Sequence, residues 1–327
     1  MNALKAAGRT TTGTRSFVAR RLLLGAAQTA GVLLLVFTLT EALPGDAAVA
    51  LAGDQPDPAR VAAIREAMHL DLPAHERLAD WATALLRGDF GTSLVSGRPV
   101  TQYLTDALGP TLLLAALTLA LLVPLGFALG VLAARHEGRL VDRLVSSVTL
   151  AVYAVPEFAL GVLLVTVFAL KLAWLPPTAV GYGTDLLGHP AVLVLPVLVL
   201  LSRPVCSLSR LVRAGMVDAL SSPYVAHARR CGVPGTRVRY AHALPNALAP
   251  AAQQLARTAD WLLCGVIVVE ALFVVPGLGT VLLDAVAARD VPVVQGLAVV
   301  FGVLTVVLNL GADVLAYRLT PRAGAVA

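Results

Sequence analysis

Glu157, Asp260, Glu270, Asn309 and Asp313 stand inside stretches that are otherwise apolar. On insertion scales a charge at the centre of a bilayer costs at least ~2.5 kcal/mol, so such groups must face a bundle interior, water or another chain. Glu157 follows Pro156, and Asp260 falls near the middle of its apolar run. Each carboxylate has two open readings: it lines a pathway, where it would hold a cation or an amine, or it makes a structural hydrogen bond between helices. Glu270, just before a turn over residues 273–279, reads as an anchor for the end of a helix, and Asp313 with Arg318 as a structural pair. Lys171 and Trp174 suit a membrane interface, where a long cationic stem snorkels and an aromatic ring sits at the headgroups.

Other chemistries lack their residues. A phosphate-binding P-loop needs Lys followed by Ser or Thr, but Lys5 is followed by Ala6 and Lys171 by Leu172, and there is no other lysine. The chain therefore has no means of hydrolysing a nucleotide and is expected not to be an enzyme. Cys206, Cys231 and Cys264 are odd in number and lack metal-ligand spacing, so neither a disulfide nor a metal site is expected, and no cofactor.

A polar, Arg-rich island at residues 218–250 interrupts a chain whose mean hydropathy is +0.80. Ser222 and Pro223 suit the cap and first turn of a short helix, Gly232 a left-handed stop, and Pro234 the start of a second helix. Gly232 is the residue that tolerates the positive φ this turn needs. Tyr224, Val225 and Ala228 give the first helix a small apolar face, and Arg229, Arg230, Arg237 and Arg239 cluster round the turn. Basic charge in such a loop also serves as an orientation signal and a contact for lipid headgroups. The apolar face and Gly232 favour a docking knob over a plain solvated loop. A DNA-reading helix-turn-helix does not fit a segment tethered between two apolar spans, so no nucleic-acid partner is expected.

The elements that carry these residues follow from composition. With 57% hydrophobic and 14% charged residues, and repeated apolar runs of ~20 residues, the chain reads as an all-α polytopic membrane protein. Six spans are expected at residues 21–43, 108–134, 140–172, 191–214, 250–275 and 292–317. The first is longer than the apolar region of a signal peptide and reads as an uncleaved helix. Arg9, Arg15, Arg20 and Arg21 precede it, Arg135, Arg139 and Arg143 lie between the second and third spans, and Arg318 and Arg322 follow the last. The connector at residues 173–190 has neither Lys nor Arg. The positive-inside bias places both termini and the 218–250 island in the cytoplasm and the segment 44–107 outside. The net charge of +5 reflects this topology. In the outer segment, Val61, Ile64 and Met68, and then Leu78, Trp81 and Leu85, recur at helical spacing, so two short amphipathic helices are expected there. Gly88 to Ser93 breaks the pattern, and Pro99 starts another short helix leading into the second span. The segment reads equally as a membrane-surface cap or as a platform for a partner that delivers cargo. Pro124, Pro156, Pro196 and Pro204 are expected to interrupt helices, and Gly126, Gly130, Gly161 and Gly302 to supply thin places for close packing.

The island, Tyr224-Val225-Ala226-His227-Ala228-Arg229-Arg230-Cys231-Gly232, continues with Arg237-Val238 and with His242-Ala243-Leu244-Pro245-Asn246. It resembles the EAA loop of ABC-importer permeases, in the form found in the dipeptide, oligopeptide and nickel permease family, on the first of its two paralogous membrane subunits. Further motifs extend the resemblance over nearly the whole chain: Leu43-Pro44-Gly45-Asp46, Gly88-Asp89-Phe90-Gly91-Thr92-Ser93, Trp174-Leu175-Pro176, Glu270-Ala271-Leu272-Phe273 and Ala288-Arg289-Asp290. It implies a single type I ABC-importer permease domain over residues 1–327 in a bacterial cell membrane. It also implies a second, paralogous permease, two ABC ATPase subunits and an extracytoplasmic substrate-binding protein as partners, besides membrane lipid. Tyr224, Ala228, Arg229, Arg230 and Gly232 would then contact the ATPase, and Glu157 and Asp260 are the candidates for lining the pathway. Cys231 and Pro245 depart from the family pattern, where basic or polar residues are more usual, and Pro245 is expected to kink the return helix. Peptides and nickel complexes are the cargoes the resemblance suggests. A self-sufficient secondary transporter or channel using Glu157 and Asp260 is the alternative; it calls for internal repeats, and none is convincing.

Overall fold

A computed structural model of the chain describes residues 3–41, 49, 57–67 and 71–319. The helices are α1 (Ala3–Glu41), α2 (Pro58–Ala67), α3 (Ala74–Leu86), α4 (Val100–Arg135), α5 (Leu140–Ala154), α6 (Glu157–Leu164), α7 (Ala191–Ser221), α8 (Pro223–Arg230), α9 (Leu244–Phe273), α10 (Leu278–Ala287) and α11 (Val291–Leu319). Two π-helical stretches, Val165–Lys171 and Val238–Ala243, continue α6 and lead into α9. Among the described residues, four helices are long and apolar enough to cross a membrane, or up to six if each of two bent pairs is one span. The expected motif at residues 42–46, the residues around 50 and Met68 lie outside the described residues.

Packing divides the chain into two units, Met1–Thr111 with Pro276–Val306, and Leu112–Val275 with Val307–Ala327. In the first, Val100, Leu104, Ala107, Leu278, Ala285, Val293 and Leu297 form a buried core. Small residues let its helices approach closely. A Cβ on Gly25 would stand 2.6 Å from Val306, and one on Gly302 would stand 2.9 Å from Thr29. The two expected short helices are present as α2 and α3, but only α3 has the expected amphipathic face, α2 showing little segregation of apolar from polar residues; Trp81 of α3 stacks on Phe37 of α1 at 6.3 Å. After α3 the chain closes a tight loop, in which Ser93 N–H donates to Arg98 O at 2.9 Å and Val100 N–H to Gly91 O at 3.0 Å. The loop is bolted to the start of α11: the Ser93 hydroxyl donates to the buried Asp290 carboxylate, which also accepts from Leu94 N–H at 3.2 Å.

In the second unit α7 is the axis. Leu195, Val199, Leu200, Leu208, Val212 and Met216 are all buried along it, among residues from α4 and α9. The thin places fall as expected. A Cβ on Gly126 would come within 2.6 Å of Leu208, one on Gly130 within 2.7 Å of Ser209 O, and one on Gly161 within 2.2 Å of Leu272.

Three expectations change. There is no separate short helix after Pro99, because nothing between Val100 and Arg135 breaks the α-helical ladder. Of the four prolines, only Pro156 interrupts a helix. Val155 before it is extended, and α5 and the following helical segment meet at 105°, as the missing N–H and the constraint on the preceding residue require. Pro124, Pro196 and Pro204 lie within continuous helices. The segment 276–291, left without a helix between the fifth and sixth expected spans, contains the ten-residue helix α10. It follows a left-handed Val274 (φ 52°), which is held by Val275 N–H donating to Glu270 O at 2.9 Å.

Candidate functional site: a basic knob and a mid-span ion pair

The knob forms because each of its ends has a local stop. Ser222 is extended (φ −70°, ψ 152°) and Pro223 occupies the first turn of α8, where its missing N–H costs nothing. At the other end Gly232 adopts φ +79°. Gly232 N–H donates to Arg229 O at 3.0 Å and Val233 N–H to Ala228 O at 3.1 Å, the paired bonds of a Schellman cap. The last carbonyls of α8 are thereby satisfied within four residues. A single helical turn, Gly235–Arg237, then leads into the π-helical Val238–Ala243.

The apolar face expected of α8 is split. Val225 is fully buried and Val238 is likewise, so these two valines anchor the knob to its own chain. Tyr224 is 45% exposed, its hydroxyl donating to His242 O at 3.4 Å. Adjacent helical residues point about 100° apart, so one of the two had to face out. Ala228 is half-buried, while Arg229, Arg230 and Gly232 are exposed together with Arg237. The outward surface is therefore one tyrosine among arginines on a rigid base. Pro245 does not kink the return helix: it lies in the first turn of α9, and the π-helical turns before it absorb the irregularity.

Glu157 is the first residue of α6, placed there by the Pro156 break. Its Oε1 lies 3.5 Å from Arg203 Nη1, so of the two open readings the contact between helices is present, the carboxylate already facing a cation of its own chain. Arg203 is twelve residues into α7, roughly 18 Å from its start. Its guanidinium lies 5.1 Å from the centroid of the Tyr153 ring, and that of Arg210 lies 4.5 Å from the same ring. A cavity of about 230 Å³ opens beside them, lined by Tyr153, Arg203, Ser207, Gln254, Thr258 and Trp261 among others. Gly265 of α9 approaches the same carboxylate, since a Cβ there would stand 3.3 Å from Glu157 Oε2. Nearer the knob, Arg213 donates to buried Asp142 through Nε at 2.5 Å and Nη2 at 2.7 Å. Gly138 N–H donates to the same carboxylate at 2.9 Å.

Arg203, Arg210, Arg213 and Asp142 had no place in the sequence reading, which weighed Glu157, Asp260, Glu270, Asn309 and Asp313 within the spans and Lys171 near a span end. The signal was present: three arginines fall within the fourth expected span, and Arg203 and Arg210 are seven residues, two turns, apart. Glu270 is fully buried beside the left-handed turn it was expected to anchor. Trp174 is 69% exposed and meets Phe168 at a tilt, which suits the interfacial role. The side chains of Asp260 and Asp313 lie outside the described residues.

Comparison with known proteins places these features in context. Residues 126–324 match the family model described as "Binding-protein-dependent transport system inner membrane component". The chain is 38% identical over 290 residues to the glutathione transport system permease protein GsiC of Salmonella typhimurium (strain LT2), covering 89% of this chain and 92% of that one. It is 37% identical to the protein of the same name from Escherichia coli (strain K12), with the same coverage.

Proposed function

This chain belongs to the family of binding-protein-dependent transport system inner membrane components, and we propose that it forms half of the pathway of an importer for small peptides, with glutathione-like tripeptides as the reference cargo. It is a multi-pass permease subunit of an ABC transporter, not itself an enzyme, and works with other components of such a system. Family membership sets aside the self-sufficient secondary transporter.

The finer partner set is a second, paralogous permease, two ABC ATPases and an extracytoplasmic binding protein. Both termini and the 218–250 loop face the cytoplasm, as the arginine distribution indicates. Tyr224, Ala228, Arg229, Arg230 and Gly232 seat in a groove of one ATPase. The observation that carries this reading is α8, started at Pro223 and closed by the Gly232 cap, with Val225 buried beneath it and Tyr224 and the arginines outward. A floppy loop would absorb motion. A short helix locked to its own chain passes it on, so closure of the ATPases on ATP shifts the membrane helices between inward-open and outward-open states. Glu157 and Asp260 lie along the pathway in this reading, Glu157 as the partner of Arg203.

The test is purification of the chain from its own membrane with whatever accompanies it, followed by uptake of radiolabelled glutathione into proteoliposomes. Two P-loop ATPases and a second permease in the complex, with uptake dependent on ATP and on the binding protein, are expected. Uptake by the chain alone without ATP would overturn the reading.

A further inference from the structure

The cavity beside Tyr153 carries a chemical preference. At the Glu157–Arg203 pair the side chain of Glu157 is only 12% exposed, whereas that of Arg203 is 38% exposed, and it is Arg203 that lines the cavity. Arg210 shares the Tyr153 ring and, among the described residues, has no carboxylate in ion-pair reach. Arg213 is matched by Asp142. Among the described residues, two guanidinium groups against one carboxylate leave the surroundings of the cavity with a surplus of one positive charge, twelve residues into a helix that opens with an apolar run. The remaining polar wall, Ser207, Gln254 and Thr258, offers hydroxyl and amide groups, and Trp261 offers an aromatic one.

Resting on the importer reading above, we propose that this cavity is a carboxylate subsite on the cargo path, with Arg203 the group that takes the C-terminal carboxylate of a peptide. Glu157 is then a positioning residue. It holds the Arg203 guanidinium at the cavity wall while the site is empty, and its 3.5 Å contact is loose enough to leave donors free. Guanidinium and carboxylate match as fork to fork, a geometry that an amide or ammonium end does not offer. Arg210, behind Tyr153, raises the local positive potential without lining the cavity.

Trp261 supplies the reporter, because replacing Trp81 and Trp174 by Phe leaves it the single tryptophan of the chain. The full chain, in nanodiscs of phosphatidylcholine, is titrated with triglycine, N-acetyltriglycine and triglycine amide while Trp261 emission is followed. Triglycine and its N-acetyl form are expected to bind about tenfold more tightly than the amide. The double variant Glu157→Gln/Arg203→Gln, which leaves no unpaired charge, is expected to bring all three within about twofold while the chain still elutes as a folded species. Equal binding of acid and amide by the wild-type site, or an unchanged preference in the double variant, overturns the proposal. ATP-dependent uptake by the wild-type complex is measured alongside. Its absence would sink the importer reading, whereas uptake without carboxylate preference at Trp261 would sink only the subsite.

Discussion

Asp142 and Arg213, 71 residues apart in sequence, meet through two hydrogen bonds of 2.5 and 2.7 Å that tie the start of α5 to the knob-proximal part of α7. The carboxylate is almost fully buried and takes a third bond from Gly138 N–H. Removing one partner strands the other. Asp142→Asn is expected to lower the stability of the detergent-solubilised chain by about 3 kcal/mol, with a matching drop in melting temperature. The charge-free pair Asp142→Leu/Arg213→Met should recover much of that loss; a double variant as unstable as the single one would show that packing, not the stranded charge, is at issue.

Gly232 combines φ +79° with open space around the position a Cβ would take, so any penalty for a side chain there is conformational. Gly232→Asn, which tolerates the left-handed region, should keep ATPase attachment and uptake close to wild type. Gly232→Val should lose about 1–2 kcal/mol of local stability and most of the coupling. Co-purification of the ATPase with each variant, alongside uptake, reads the difference. Equal behaviour of Asn and Val would mean the cap is not what holds the knob.

Tyr224 and Val225 are neighbours with opposite fates, one 45% exposed and one fully buried. Tyr224→Ala is expected to leave the melting temperature within about 0.5 kcal/mol equivalent of wild type yet weaken ATPase binding. Val225→Ala should cost about 1–3 kcal/mol through the cavity it leaves and weaken attachment only as the knob loosens. Thermal melts paired with a pull-down separate the two. If both variants behaved alike, the inward and outward division of α8 would carry no functional weight.

Gly130 and Gly109 lie on the same helix in unlike surroundings. A Cβ on Gly130 would press within 2.7 Å of Ser209 O, whereas nothing stands within 4 Å of one on Gly109. Gly130→Ala should therefore destabilise by about 1–3 kcal/mol, because backbone cannot swing aside as a side chain can. Gly109→Ala should be neutral or slightly stabilising by helix propensity. Heat-induced loss of the monodisperse chromatographic peak ranks them, and the reverse order would contradict the packing described.

What could be read in the sequence was what is local. The left-handed stop at Gly232, the start at Pro223, the pair of short helices after the first span and the thin glycines each follow from a few neighbouring residues, and each is present. What escaped depends on groups far apart in sequence. The sequence leaves Glu157 open between a pathway group and a structural contact because its partner, Arg203, stands on another helix. The bolt between Ser93 and Asp290 spans 197 positions. Helix α10 escaped for a different reason, since Pro276, Gly277 and Gly279 crowd its start and mask a short apolar run. Val225 groups with Tyr224 on one apolar face in the sequence, because apolar character alone does not say which side of a two-turn helix its own chain will cover.

The π-helical Val238–Ala243 stands between the knob and the long α9. A π turn holds about one residue more than the α turn it replaces, and each residue is about 100° of helical phase. This stretch therefore fixes the azimuth of everything downstream. With that extra residue in place, Val266, Val269 and Phe273 are buried and Gln254, Thr258 and Trp261 line the cavity. Removing a single residue from it would relax it to ordinary α-helix and swing α9 by more than a quarter of a revolution relative to the knob, turning its greasy side out and its cavity-lining side away while every side chain stayed chemically intact.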